Sequence, residues 1–536
     1  MHHFVLAGTR YVAPSSTAIS TRTLMSVFRL PPDETSKIAL EWVRSAVERY
    51  QADDVFQIAF LETLTNEAKE YLQKLGNKQV VFLHAPSLLP GPYYMVQNQL
   101  RDVWRLFNDT HGTWMITLKS QAKPHDRFEG FHFIASNSQF PVFDVRSRIM
   151  TTFQTVSPIA GLRVLVKDNI HLKGIRTSQR NKVFYETYPA QEVSAPSLWN
   201  PRGDGYQLTG GSSSGSAAAV AAYDFLDIAI GSNTWGSVTR PALWCGVFGL
   251  RPTFGAVPSS GIEPFCQIYD IPGLLGRDLK KCRQFAAEWL DAKMLVKEPK
   301  PFSSILCPTD FWDIIDAEQQ KIAQDFIRTI QATFDVECHD ADGQSLLSYI
   351  DEATGAQCYD AYQNCHDFRT KYQRKSNKEP YVSPPNQRMW DHARTITKEK
   401  RDEGFERLSV YQEWFRKTIF SGDNVNTLVV MPLESVRQRY RDEVPRCKRQ
   451  LQPGVNALGL AAVLESPVLA VPVSEVAYHS RITGREEKLP FVVAVMGKLG
   501  KMWFRNGFSF NGHNVRGFGR GGMATVVQTE SSMFQK

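Results

Sequence analysis

The sequence predicts an α/β fold: a mixed central sheet covered by helices on both faces, preceded by a small α/β region. Three observations carry this. Short apolar runs bounded by turn residues, such as 227–230, 427–431 and 489–495, read as buried strands. Between them lie stretches with apolar residues at helical spacing, among them 36–50 and 318–334. At 536 residues the chain exceeds one ordinary core, so more than one region is expected. The divisions expected are an N-terminal α/β extension at 1–150, a main domain at 151–500 and a disordered tail at 501–536.

Composition narrows the function classes. A net charge of +7, spread along this length, is too weak to argue for nucleic acid. The eight cysteines, at 245, 266, 282, 307, 338, 358, 365 and 447, form no Cys-x-x-Cys pair and no dense framework. That pattern fits a reducing compartment and no zinc site. The start lacks a basic segment followed by an apolar run, and no window offers eighteen apolar residues. A cytoplasmic protein with no signal peptide, no membrane contact and no nucleic-acid partner is therefore expected.

In order, 36–50 and 66–75 read as helices, 78–83 as a strand and 89–92 as a turn. A helix is expected at 101–107, a strand at 113–118 and a linker at 123–130. Trp104, Phe107 and Trp114 are expected in the core. The segment 161–170 reads as a strand that delivers Lys167. Further on, 285–294, 318–334 and 398–415 are helices, the last with a solvated face. Strands follow at 427–431, 464–473 and 489–495. The Gly- and Arg-rich 507–522 has the composition of a disordered segment.

Two clusters of Gly and small hydroxyl residues stand out, 210–216 and 231–237. Ser216 is placed to cap a helix that 217–223 continues, and 227–230 is a strand ending at Gly231. Two Gly/Ser loops thus flank one helix–strand unit, and the fold can bring their hydroxyls together. The first also satisfies Gly-x-Ser-x-Gly, the nucleophile elbow of α/β-hydrolases. That motif needs a hydrophobic strand before it and a histidine in a fitting context after it, and neither is present.

Gly210-Gly211-Ser212-Ser213, Gly231 to Ser237, Arg240-Pro241-Ala242 and Cys245 to Thr253 together resemble the amidase signature family. Val166-Lys167-Asp168-Asn169-Ile170 resembles its lysine motif, and Asp270-Ile271-Pro272-Gly273 the block after its nucleophile. The series runs from about 161 to 277 and resumes near 466–473. It is similar to the fungal-type members, with an N-terminal extension and a diverged, shortened core. The resemblance implies hydrolysis of a carboxamide C–N bond in a small molecule through an acyl-enzyme, with no cofactor and no metal. By analogy with tailoring amidases it also implies a natural-product pathway.

The same resemblance implies the roles. Lys167 is the base; burial lowers a lysine pKa toward neutrality, and a neutral amine accepts protons. Ser237 is the acylated nucleophile. A serine between them, after a cis peptide, relays the proton. Motif alignment selects Ser212, whereas the spacing of 24 residues to the nucleophile (237 − 213) selects Ser213; Ser212 is preferred. The backbone amides of Thr234, Trp235, Gly236 and Ser237 form the oxyanion hole. Arg240, Arg277 and Asp270 are structural, and Ser214 and Ser216 serve turns and caps.

Three departures from the family pattern bear on activity. Lys167 and Ser212 lie only 45 positions apart (212 − 167), so part of an α/β unit around 176–201 is lacking. Trp235 replaces a glycine, and its indole could fill the acyl site. Asn233 replaces an aspartate. These departures leave open a catalytically impaired amidase fold that binds a ligand, and an amide-transferring component of a glutamine-dependent complex. The oligomeric state is not readable from the sequence.

Overall fold

A computed structural model describes the chain except for single positions and the stretches 14–22, 29–39, 58–59, 61–88, 97–98, 121–127, 132–141, 153–156, 176–197, 292–301, 342–353, 421–425, 444–454, 499–508, 512–525 and 529–536. Two compact units emerge. The first comprises 1–110, 116–122 and 129–163, and the second 111–115, 123–128 and 164–536. The helix expected at 66–75, the strand at 78–83, residues 123–127 of the linker and most of the shortened 176–201 segment lie outside the described residues.

The first unit is mostly β. Its elements are β1 (His2–Leu6), β2 (Thr9–Ala13), β3 (Thr23–Val27), α1 (Leu40–Gln51), β4 (Gly91–Val96), β5 (Gln99–Asp102), β6 (Trp104–Asn108), β7 (Thr117–Ser120), β8 (Phe128–Phe131), β9 (Val142–Arg146) and α2 (Arg148–Thr152). Its described strands form the antiparallel sheets β1-β2-β6-β9 and β3-β4-β5 and the pair β7-β8. The helix expected at 101–107 is instead β5 and β6. Burial along β6 alternates, with Trp104 and Leu106 inside and their neighbours half out. That period of two is a strand's. Phe4 stacks on Tyr11 and Tyr94 with centroids 5.4 and 5.0 Å apart, which builds an aromatic core. The strand expected at 113–118 begins only at Thr117, and Trp114 packs on Tyr223 and Phe225. The expected linker at 123–130 ends in β8.

The second unit holds a nine-stranded mixed sheet. Its elements are β10 (Val164–Val166), α3 (Ser214–Ala222), β11 (Ile228–Asn233), α4 (Thr239–Cys245), β12 (Phe248–Arg251), β13 (Ile271–Gly276), α5 (Leu279–Trp289), β14 (Ser304–Pro308), α6 (Ala317–Phe334), β15 (Glu337–Ala341), α7 (Thr354–Asn364), α8 (His366–Ser376), α9 (Pro384–Ala393), α10 (Lys398–Thr418), β16 (Thr427–Pro432), α11 (Ala457–Val463), β17 (Val468–His479), β18 (Glu486–Met496), β19 (Ser509–Asn511) and β20 (Val526–Gln528). The sheet order is β10-β11-β13-β12-β17-β18-β16-β14-β15, parallel at β10/β11, β14/β16 and β14/β15 and antiparallel elsewhere. Every residue of β12, β13, β14 and β16 is buried, which explains their continuous apolar runs.

Local differences from expectation have local causes. The strand at 227–230 does not stop at Gly231 but pairs with β13 as far as Asn233, opposite Ile271. Ser216 is not the cap of α3. The helix starts at Ser214, Ser213 stands at the cap position, and the Ser216 hydroxyl points to the Ile230 carbonyl at 3.4 Å. Within the tail expected to be disordered, β19 and β20 pair antiparallel. Among the described residues no helix is long and apolar enough to cross a membrane.

Candidate active site

The site grows from the parallel pair β10 and β11. The Lys167 amide continues that ladder by donating to the Ile230 carbonyl at 2.9 Å, which aims the side chain past the end of β10. Lys167 Nζ then donates to three hydroxyls: Ser212 Oγ at 2.7 Å, Ser232 Oγ at 2.9 Å and Ser213 Oγ at 3.1 Å. The shortened 176–201 segment therefore does not keep the lysine from the first serine cluster. Burial pushes the Lys167 amine down to about 7, opposed in part by the negative charge of Asp270.

The two candidate relay serines differ in surroundings. The Gly211–Ser212 peptide is cis, and Ser212 is exposed. Ser213 is 1% exposed and tied down on every side. Its hydroxyl donates to the Ser232 carbonyl at 3.1 Å, and the Ser232 amide donates back to it at 3.3 Å. Its own amide donates to the Ser237 carbonyl at 3.0 Å. A Cβ on Gly231 would lie 2.6 Å from Ser213 Oγ, so glycine at 231 is what admits this serine to the strand edge. Ser214 closes its own turn by donating to the Gly210 carbonyl at 2.9 Å.

Ser237 lies between β11 and α4 on a tight loop. Asn233 Oδ1 spans that loop by accepting from the Val238 amide at 2.9 Å. Its Nδ2 is buried and has no partner among the described residues. The amides of Thr234, Trp235, Gly236 and Ser237 likewise bond to nothing among the described residues, and neither does Ser237 Oγ. Four consecutive unengaged amides beside a hydroxyl can hold an oxygen that gains negative charge. Trp235 is half-buried; its ring meets Tyr269 edge-on at a centroid distance of 5.8 Å.

Reasoning from sequence missed two contributors. Ser232 is the third partner of Lys167, and Asn169 holds it by donating to Ser232 Oγ at 2.9 Å. Asp270, read as structural, reaches both halves of the site. Its carboxylate accepts from the Thr234 hydroxyl and from the amides of Phe265 and Cys266 at 2.8 and 2.9 Å. Burial pushes the Asp270 carboxyl up, while those hydrogen bonds and the charge of Arg251 pull it down. Arg251 is fully buried and lowered to about 10 for the same reason of burial. Arg240 binds Glu434 at 2.8 Å, and Arg277 donates to the carbonyls of Asp224 and Leu226 at 3.1 and 3.2 Å. Among the described residues no group of three or more His, Cys, Asp or Glu is placed to hold a metal ion.

Two Gly/Ser loops are thus joined by a helix–strand unit and met by a lysine. Residues 198–409 match the family described as Amidase. One chain of the glutamyl-tRNA(Gln) amidotransferase from Geobacillus kaustophilus is 34% identical over 24% of this chain and 32% of its own. Amidase 1 of Arabidopsis thaliana is 28% identical over 38% of this chain and 55% of its own. The chain thus spans about a third to about half of the length of the curated relatives it matches. In fold, the chain is similar to an allophanate hydrolase of Kluyveromyces lactis, with a TM-score of 0.51 at 16% identity, covering 63% of this chain and 59% of that one.

Proposed function

We propose that the protein hydrolyses a carboxamide C–N bond through an acyl-enzyme on Ser237. The observation that carries this is the lysine, lowered to about 7 and 2.7 Å from the Ser212 hydroxyl. A serine hydroxyl is a poor nucleophile until a base takes its proton, and a neutral amine supplies that base without histidine.

Neutral Lys167 takes the Ser212 proton while Ser212 takes that of Ser237. Ser237 Oγ attacks the carbonyl carbon, and the amides of the 234–237 loop stabilise the resulting oxyanion. The proton returns by the same route to the leaving nitrogen, the C–N bond breaks, and an ester to Ser237 remains. Water, deprotonated in the same way, cleaves the ester and frees the acid. Ser212 suits the relay better than Ser213, because the Ser213 proton is committed to the Ser232 carbonyl. The substrate is a small-molecule amide, consistent with a tailoring step in a natural-product pathway, and the chemistry requires no cofactor.

The test is labelling of the purified chain by a serine-directed fluorophosphonate, beside Ser237→Ala and Lys167→Ala. Labelling that both substitutions abolish, followed by turnover in an amide screen, is the expected result. An unlabelled, well-folded wild type would sink the hydrolase reading and favour a ligand-binding amidase fold.

A further inference from the structure

Trp235 stands where the family motif has glycine, and the structure shows what makes room for it. A Cβ built on Gly459 would lie 1.9 Å from Trp235 Cε2, 2.2 Å from Cζ2 and 2.3 Å from Nε1. The indole therefore occupies the volume that any side chain at 459 would need. Gly459 does not have the left-handed backbone that calls for glycine, and it sits inside α11, where glycine costs about 1 kcal/mol of helix propensity relative to alanine. Space, not conformation, accounts for it.

The contact continues one residue along each partner. A Cβ on Gly236 would meet Leu458 Cβ and Cδ2 at 3.0 Å. Two consecutive residues of α11, Leu458 and Gly459, thus seat two consecutive residues of the loop that bears the free amides. The seat is itself fixed, since the Gly459 amide donates to the Asn456 carbonyl at 2.9 Å and to the Asn456 side chain at 3.0 Å. The indole also meets Tyr269, the neighbour of Asp270, which holds Thr234. The loop is clamped on one side by α11 and on the other by the 269–270 turn.

We propose that Gly459 is a positioning residue for the oxyanion loop and acts through Trp235. This inference rests on the amidase reading of the site. A methyl group at 459 would drive the indole out of its seat, and the backbone of 235 and 236 would follow. The amides would then miss the position of the developing oxyanion. Trp235 and Gly459 form a coupled pair, in which an alanine at 459 is tolerated only once the indole is gone.

The test measures second-order rates of Ser237 labelling by a fluorophosphonate in the wild-type 536-residue chain, Gly459→Ala, Trp235→Ala and the double variant, with melting temperatures for all four. Gly459→Ala should label about 10- to 100-fold more slowly than wild type, the loss expected when oxyanion donors are misplaced. The double variant should label within about threefold of Trp235→Ala, since the clash is then absent. A Gly459→Ala chain that fails to fold, beside a double variant that folds and labels like Trp235→Ala, supports the same coupling. Equal labelling of wild type and Gly459→Ala would overturn the inference and leave the amidase reading standing. So would a double variant no faster than Gly459→Ala. If no chain labels, the amidase reading fails and the positioning role with it, while a non-additive melting cycle would still show the Trp235–Gly459 seat.

Discussion

The two halves of the site are held in different ways. The lysine half is a closed hydrogen-bond network: Lys167 meets three hydroxyls, Ser213 is bonded through its amide and hydroxyl, and Asn169 fixes Ser232. The nucleophile half has few such bonds. Ser237 Oγ and four amides are unengaged among the described residues, and the loop is shaped by Asn233, by Thr234 on Asp270 and by packing of Trp235. A base needs a fixed partner before substrate arrives, whereas an oxyanion hole needs donors kept unbonded until charge develops. The difference in how the halves are held fits the different tasks proposed for them.

The largest expected effects break one half outright. Ser237→Ala should abolish fluorophosphonate labelling, and Lys167→Ala should lower amide turnover by about 10³-fold or more, as loss of a triad base does elsewhere. The lysine substitution has a second consequence. Because the folded amine titrates near 7 and not at its ordinary 10.5, the unfolded chain binds more protons between those values. Stability therefore rises with pH across that window, and the burial cost is fully present below about 7. Lys167→Met should raise the melting temperature at pH 6 while removing activity. A melting temperature unchanged or lowered at pH 6 would contradict the burial argument.

Ser212→Ala against Ser213→Ala sharpens the comparison inside the lysine half. Loss of the relay should cost about 10²-fold or more in turnover, within the range for positioned proton transfer. Loss of the Ser213 hydroxyl removes a buried bond to the Ser232 carbonyl and should cost about 1 kcal/mol of stability with a smaller rate effect. Steady-state rates and urea melts on both variants decide it. The reverse order of rates would make Ser213 the relay.

What is legible in the sequence follows the same division. The helices near 318–334 and 398–415 and the strands near 427–431 and 489–495 can be read because their periodicity and flanking breakers agree with their burial. The strand expected at 464–473 starts too early: Leu464 caps α11, and β17 begins at Val468. The 101–107 stretch misleads because apolar residues at 103, 104, 106 and 107 satisfy a helix face as well as two short strands. In the site, the Gly/Ser clusters point to Ser212, Ser213 and Ser237. Ser232 lies in the second cluster but is not distinguishable from its other hydroxyl residues, because its role depends on β10 pairing in register with β11. Asp270 is legible as a motif residue but not as the group facing Lys167 and Thr234 together. The seat at Gly459 lies more than two hundred residues from Trp235 (459 − 235 = 224), and no local pattern links them.

Turnover should also follow the protonation of Lys167. Only the neutral amine accepts the serine proton, so the rate should fall about tenfold per pH unit on the acid side of a limb near 7. A rate flat from pH 5 to 8 would remove Lys167 as the base.

The smallest effect tests an acidic group that bears on both halves. The negative charge of Asp270 favours the protonated lysine, so Asp270→Asn should move the acid limb to lower pH. Oδ2 accepts from the amides of Phe265 and Cys266 and Oδ1 from the Thr234 hydroxyl, so with one of these oxygens replaced by NH₂ at least one donor loses its acceptor. That should lower stability by about 1–3 kcal/mol. The two readouts separate the roles. A stability loss with an unmoved limb would confine Asp270 to bracing the turn beneath Thr234. A limb that moves downward would show that its field reaches the lysine.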